Sequence, residues 1–392
     1  MNNRVIIPEK LLKKLSTSHE RDGFLVGSLI MSSSIKTLIV TAINETGHGA
    51  IGRWNISGNP DPNYPLTMVL NESRCVQDVL VNEPENTSPF QLMVIEQDRY
   101  TERLRVPGFT GINEYTVLVI GCGSIGSQDA VDLARAGIKK LILIDPDIVE
   151  DKNLCRCEYF ADQIGQYKVD ALRDTIYRIN PAVEVESIAG NIFDLPSDIL
   201  ESLIPSVDLV IHATDSLPAA YTINRMAYNV VPVVYAALYN NADLGFVMFT
   251  VPKKTPCYEC VLPAPGDMIN DKTKGSPQDV PQWDYTDHTG RTRAIPGLGV
   301  DISRASTIAS RIAISLLCRK KGNEDFPFKF DRNIVFVCNV SEEEIFSYPF
   351  QTEWAMTRIR EECWCQAKTP TAEDIQSAAE LMDSIPLEEE IE

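Results

Sequence analysis

The chain has 392 residues, 44% of them hydrophobic, which is enough for two packed domains. A formal net charge of -19 argues against nucleic acid or an anionic membrane as the main partner, since the mean surface field repels both. No window approaches about 18 uninterrupted apolar residues, and the start, Met1-Asn-Asn-Arg-Val-Ile-Ile-Pro8, lacks the apolar region of a signal peptide, so a cytoplasmic protein is expected.

Residues 1–96 alternate short apolar runs, Gly23-Phe-Leu-Val-Gly-Ser-Leu-Ile30 and Thr37-Leu-Ile-Val-Thr41, with a Gly/Asn/Pro-rich segment at 52–65. This pattern predicts a small α+β domain. Residues 97–366 change to strand, helix, strand, with apolar strands at 117–120, 141–144, 207–212 and 231–236. The alternation predicts an α/β fold with a doubly wound, Rossmann-like, mostly parallel sheet. Residues 261–300 form a polar, Pro/Gly-punctuated crossover loop, too long for an ordinary connection. A helix at 305–317 and a strand at 334–340 complete the domain, and residues 367–392 form a tail ending in Leu387-Glu-Glu-Glu-Ile-Glu392, read as a solvated acidic face.

The chemistry begins at Val117-Leu-Val-Ile-Gly121-Cys-Gly123-Ser124-Ile-Gly126. An apolar strand running into spaced glycines makes a tight turn and a helix N-terminus whose N–H groups can hold phosphate. Asp145 closes the next strand and brings a carboxylate near a ribose. Asn153, Arg156 and Lys168 follow, and Asp215 succeeds the strand Leu209-Val-Ile-His-Ala-Thr214. Open α/β sheets bind ligands at these strand ends, so Asp215 is eligible to meet a phosphate-bound magnesium while Arg156 and Lys168 meet phosphate oxygens. Singly, each has an ordinary use: Lys168 as a surface lysine, Arg156 in a loop ion pair, Asp215 as a helix cap. Together they fit a nucleotide triphosphate better than a nicotinamide cofactor.

The ordered set Gly121-Cys-Gly-Ser-Ile-Gly126, Asp145-Pro-Asp147, Asn153-Leu-Cys-Arg156, Gly165-Gln-Tyr-Lys168 and Ala213-Thr-Asp215 resembles the ubiquitin-activating-type adenylyltransferases over residues 97–366. The resemblance implies ATP and Mg2+ as cofactors and attack by the C-terminal carboxylate of a ubiquitin-like protein or peptide on the α-phosphate. It implies that Gly121, Gly123, Ser124, Gly126 and Asp147 frame the nucleotide and that Asp145 holds the ribose. Asn153, Arg156 and Lys168 hold the phosphates, and Asp215 positions magnesium. An ionised carboxylate needs no general base, so the absence of an obvious Ser/His/Asp set fits. The family also supplies an arginine across a homodimer interface; here Glu102 stands at the usual place and Arg103 is the nearest substitute.

Ten cysteines in a cytoplasmic chain point to ligands, thiols or small core residues rather than disulfides. Cys257-Tyr-Glu-Cys260 and Cys363-Trp-Cys365 suit a closed, tetrahedral, structural Zn2+, buried free thiols being the alternative. The second pair is one residue shorter than the family's. No cysteine lies between Cys260 and Cys318, which argues against a thioester at the usual crossover-loop position. Cys155 and Cys157, flanking Arg156, remain the nearest candidates, whereas Cys122, Cys75, Cys318 and Cys338 read as packing residues.

Val5-Ile-Ile-Pro8, Asp22-Gly-Phe-Leu-Val-Gly27 and Gly52-Arg-Trp-Asn55-Ile-Ser57 resemble a JAB/MPN isopeptidase domain in which Asn55 and Ser57 replace the metal-binding histidines. That implies a catalytically dead binding module, an unrelated peptide clamp being the alternative. The expected activity is adenylation of a ubiquitin-like or sulfur-carrier protein, which a conjugating or sulfur-transfer protein then uses. Microcin-type peptide adenylylation, a non-enzymatic scaffold with a vestigial nucleotide site and a Rossmann dehydrogenase are the alternatives.

Overall fold

Two sheets, each with its own apolar core, carry the computed structural model, which describes residues 4–32, 35–44, 46, 49–56, 61, 63–81, 91–96, 102–104, 109, 111–239, 242–262, 296–319, 332–340 and 346–366. The first sheet is built from β1 (Arg4–Pro8), β2 (Asp22–Ser32), β3 (Ile35–Asn44), β4 (Ala50–Ile56), β5 (Leu66–Leu70), β6 (Val76–Val81) and β7 (Gln91–Ile95), in the order β6-β5-β4-β2-β3-β1-β7. Helix α1 (Glu9–Thr17) places Leu11 and Leu15, one turn apart, on a core of Val5, Ile7, Leu25, Leu38 and Trp54.

The second sheet has the order β10-β9-β8-β11-β12-β13-β14-β15. Its strands are β8 (Thr116–Ile120), β9 (Lys140–Ile144), β10 (Glu184–Ile188), β11 (Leu209–His212), β12 (Val233–Tyr239), β13 (Leu244–Thr250), β14 (Ile334–Cys338) and β15 (Thr352–Ala355). The pairings from β10 through β12 are parallel, as expected, and β13 to β15 extend the sheet antiparallel. The strand expected at 207–212 begins at Leu209, and just before it the Asp208 carboxylate accepts the Thr116 N–H at 2.8 Å.

Alternation along β8 sorts the two layers. Val117 and Val119 face a core shared with helices α2 (Ser124–Arg135), α3 (Lys168–Ile179) and α7 (Gly299–Arg319). Leu118 and Ile120 face α4 (Ser197–Ser206), α5 (Leu217–Ala227) and the short α6 (Tyr258–Val261). Strands buried on both faces are apolar throughout, which is why their sequences show continuous runs. Lys10 of α1 reaches Glu184 of β10 at 3.1 Å, joining the two halves. Most of the expected crossover loop, 263–295, and the tail, 367–392, lie outside the described residues, and no described helix is long and apolar enough to cross a membrane.

Candidate functional site

β8 lies between β9 and β11, so the chain leaves its carboxyl end in one direction and returns on the other side. A crevice opens at such a switch point. Gly121 turns the chain there with φ of 88°. A side chain at this position would meet the Ala213 carbonyl oxygen and Thr214 Cγ2, each at 2.8 Å. One at Gly126 would come within 1.9 Å of the Gly121 carbonyl, so this glycine lets α2 close on the strand. Gly123 is different: a Cβ there has nothing within 4 Å. The first two glycines serve backbone packing; the third borders open space at the start of α2.

Asp145 is 5% exposed and accepts hydrogen bonds from the Cys122 N–H at 2.7 Å and the Asp147 N–H at 2.9 Å. Burial raises its carboxyl pKa, opposed by the Lys168 charge and these two donors. Its first task is therefore to tie the glycine turn to the second strand. Lys168, at the start of α3, donates from its backbone to the Asp147 carbonyl at 2.8 Å and from Nζ to Asp147 Oδ2 at 2.7 Å. Burial works to lower the lysine pKa, but Asp145 and Asp147 outweigh it and the net shift is upward. Lys168 is thus a buried, charged ammonium beside the glycine turn.

The segment between these residues is stitched to the turn. Tyr159 Oη donates to the Cys122 carbonyl, Ser127 Oγ accepts from the Glu158 N–H at 3.2 Å, and Ser124 Oγ meets Cys157 Sγ at 3.7 Å. Asn153 Oδ1 accepts from the Glu150 N–H at 2.8 Å and closes a capping box on the turn Asp151–Asn153 that precedes Arg156. The start of α7 abuts this turn: a Cβ on Gly299 would lie 3.1 Å from the Cys155 carbonyl and 3.5 Å from Arg156 Cα. Asp215 stands exposed after β11, where the Ala213 N–H bonds the Ile120 carbonyl at 2.9 Å. His212 approaches Thr214 Oγ1 at 3.2 Å, and burial lowers its pKa to about 4, so a neutral imidazole braces the Asp215 turn.

The structure brings Gly121, Asp145, Asp147 and Lys168 together at the turn, ties the segment carrying Asn153 and Arg156 to it, and sets Asp215 after the neighbouring strand; Arg103 lies in a 3-10 turn, Glu102–Leu104, its side chain outside the description. Two cysteine expectations change. Cys75 is exposed in a turn, so it is no packing residue. Burial raises the Cys157 thiol pKa, opposed by the Ser124 hydroxyl, Lys168 and Arg156, so its place beside Arg156 does not make it a thiolate.

A group that sequence reasoning missed lies behind the glycine turn. Asp129 on α2 is fully buried and its Oδ1 meets Ser306 Oγ at 2.8 Å and Ser310 Oγ at 2.7 Å, both from α7. Burial raises its pKa to about 7, with the two serines opposing. Ser306 also donates to the Ile125 carbonyl at 3.2 Å, in the first turn of α2. The available signal was an acid among Ala130, Val131 and Leu133 on the buried stripe of a helix, with serines at i and i+4 on another.

The second centre fits its expected metal. Cys257, Cys260, Cys363 and Cys365 hold their sulfurs within 4.8 Å of one another, with separations of 3.7 Å for Cys257–Cys260 and 3.5 Å for Cys257–Cys363 and Cys260–Cys365. A tetrahedron with Zn–S bonds of about 2.3 Å has edges of roughly 3.8 Å. The shorter Cys-x-Cys spacing does not prevent the four sulfurs from meeting. The Cys257 thiol donates to Cys260 and lowers the Cys260 pKa.

In the first sheet, Asn55 lies opposite Asp22, and Arg53 pairs with Asp22 at 3.1 Å and Asp61 at 3.2 Å. An internal ion-pair cluster thus occupies the sheet region where the JAB/MPN resemblance expects metal ligands; Ser57 lies outside the described residues.

Known proteins resemble this chain over part of its length. Ubiquitin-like modifier-activating enzyme 5 of Caenorhabditis elegans is 31% identical over 235 residues, 54% of this chain and 54% of that protein. Molybdopterin-synthase adenylyltransferase of Salmonella typhimurium is 31% identical over 173 residues, 42% of this chain and 68% of that protein. A solved structure of E. coli MccB with MccA-N7isoASN covers 65% of this chain and 68% of its own at 20% identity, with a TM-score of 0.49. The chain spans about half the length of the first of these relatives. Residues 97–326, more than half of the chain, match the ThiF family, and to that family the chain belongs.

Proposed function

We propose that this chain uses ATP to adenylate the C-terminal carboxylate of a ubiquitin-like or sulfur-carrier-type protein. One observation carries the reading: the open space at Gly123 borders a turn tied through Asp145 to a buried, charged Lys168, with Asp215 beyond the adjacent strand. Membership of the ThiF family and the names of the two curated relatives support it.

In this reading the substrate carboxylate attacks the α-phosphorus. A carboxyl–phosphate anhydride bond forms, and the bond to the bridging oxygen of pyrophosphate breaks. Both partners are anions, so the barrier falls when fixed cations offset phosphate charge and hold the carboxylate in line. Lys168 leaves Asp147 for a phosphate oxygen, with Arg156 and Asn153 beside it. Asp145 keeps the glycine turn in place and presents its carboxylate edge to the ribose. Asp215 would hold Mg2+, which would supply positive charge to offset the negative charge developing on pyrophosphate. Zn2+ at the four cysteines is structural, since a closed four-sulfur shell leaves no position for substrate.

With no cysteine between Cys260 and Cys318 and burial raising the Cys157 thiol pKa, the exposed Cys155 stays the nearest candidate on this chain for a thioester, and a conjugating or sulfur-transfer protein is the other acceptor. We assign residues 1–96 to substrate or partner binding as an inactive JAB/MPN-like module, and residues 97–366 to adenylation. A homodimer, with Arg103 reaching the partner's phosphates, completes the proposal. No disulfide joins the ten cysteines, which accords with a reducing cytoplasm. ATP–pyrophosphate exchange with candidate Gly-Gly-ending proteins and with short peptides tests it. Exchange with the proteins alone is expected; exchange with peptides alone would move the reading to a peptide adenylyltransferase, and none with either would overturn it.

A further inference from the structure

The turn Cys257-Tyr-Glu-Cys260 carries an acid where the metal site makes one costly. Four thiolates around a zinc ion leave a net of about two negative charges. Glu259, only 6% exposed and lying between two ligands, adds a third. A buried carboxylate must be paired, and this one is gripped from α5. Arg225 donates from Nε to Oε1 at 2.9 Å and from an Nη to Oε2 at 3.2 Å, a two-pronged fork. Its neighbour Asn224 donates to Glu259 Oε1 at 3.4 Å and accepts the Tyr258 N–H at 2.9 Å. Two consecutive residues of α5 therefore fix both the side chain and the backbone of the ligand turn. The Arg225 charge also acts on Cys363 and Cys257, across the 106 residues that separate the two ligand pairs.

We propose that Arg225 is the positioning residue of the zinc centre: acting through Glu259 it holds the Cys257–Cys260 turn and offsets the thiolate charge, and so sets how fast the centre gives up its metal. The inference rests on the zinc reading. Partners just outside the ligand shell commonly control metal affinity by about 10–100-fold, and loss of Arg225 leaves the Glu259 carboxylate unpaired beside the thiolates. Asparagine or serine in place of a ligand would test the shell itself; the fork is tested from outside it.

The experiment follows zinc release from the full-length, zinc-loaded chain into excess pyridylazoresorcinol, alongside thermal melting with and without zinc. Arg225→Gln is expected to speed release by roughly 10–100-fold. Arg225→Lys, which keeps the charge without the fork, should fall between it and the parent, and Arg225→Gln with Glu259→Gln should return to within a few fold. The melting loss should be larger with zinc than without. Release unchanged in Arg225→Gln, a double variant as fast as the single, or an equal melting loss in both states would overturn the proposal and leave a merely structural ion pair. A parent chain that takes up no zinc would sink the zinc reading and the inference together; one zinc per chain with unchanged release would sink the inference alone.

Discussion

Lys168 and Asp147 hold each other twice, through a backbone bond of 2.8 Å and a side-chain ion pair of 2.7 Å. The ammonium is buried while the Asp147 side chain is 48% exposed, so the pair is open on its anionic side. An incoming phosphate can replace the carboxylate without uncovering the lysine. Lys168→Ala should lower pyrophosphate exchange by about 10²–10³-fold, the usual cost of losing one donor to developing charge. Exchange within threefold of the parent would remove Lys168 from the site.

Asp215 is exposed, and the β11–β12 pairing holds the strand before it without its help. Asp215→Ala should therefore melt within about 0.5 kcal/mol of the parent, as exposed substitutions do. Exchange should fall to background and stay there as Mg2+ is raised. Recovery at high Mg2+ would mean that the residue only strengthens metal binding.

The glycines at positions 123 and 126 should part company. Gly126→Ala places a Cβ 1.9 Å from the Gly121 carbonyl, a clash with backbone that cannot rotate away. Overpacking of this kind costs about 1–3 kcal/mol or more. Gly123→Ala meets nothing within 4 Å, so its melting should match the parent while ATP affinity drops, because the methyl enters the open space assigned to phosphate. Calorimetric titration with ATP, set beside melting curves, separates the two; undiminished ATP binding by Gly123→Ala would empty that space of its role.

Asp129 gives a pH signature. Its pKa rises from 3.8 to about 7 on folding, so the folded chain holds a proton that the unfolded chain has lost. That contribution is full below pH 4 and disappears as pH rises through about 7. Each unit corresponds to about 1.4 kcal/mol, which puts several kcal/mol at stake. His212 acts oppositely, since its pKa falls from 6.5 to about 4 and its contribution disappears as pH drops through that range. The parent's profile therefore hides both slopes between pH 4 and 6.5. The difference between Asp129→Asn and parent exposes the first: the variant should gain relative stability from pH 4 to 7 in denaturant titrations, and a flat difference would show that Asp129 is ionised in the fold.

The sheet and the crevice were legible because their signals are local. A strand buried on both faces is apolar without interruption, and Gly121, Asp145 and Asp215 follow strands while Asn153, Arg156 and Lys168 lie between them in a fixed order. The four-cysteine group was legible as two tight pairs, although only the fold brings them together. What escaped notice depends on contacts between distant elements. Asp129 and its serines are 177 and 181 residues apart, and Arg225 and Glu259 are 34 apart, separations at which no periodicity operates. Cys75 misled because an apolar neighbourhood in sequence, beside Val76, became a surface turn. The antiparallel strands β13 and β15 gave no sign of their direction, which the return path of the chain decides.

The sulfur group between α6 and residues 363–365 closes a span of 106 residues that includes α7 and β14. In the unfolded chain those ends wander independently, and a clasp that joins them removes that freedom. For a loop of about 100 residues the loop-entropy model assigns such a join about 4.7 kcal/mol at room temperature, similar to a long-range disulfide. A metal would supply this only while bound, and with zinc there the folding of this domain would be coupled to zinc supply. Chain entropy, rather than catalysis, is what such an ion would govern.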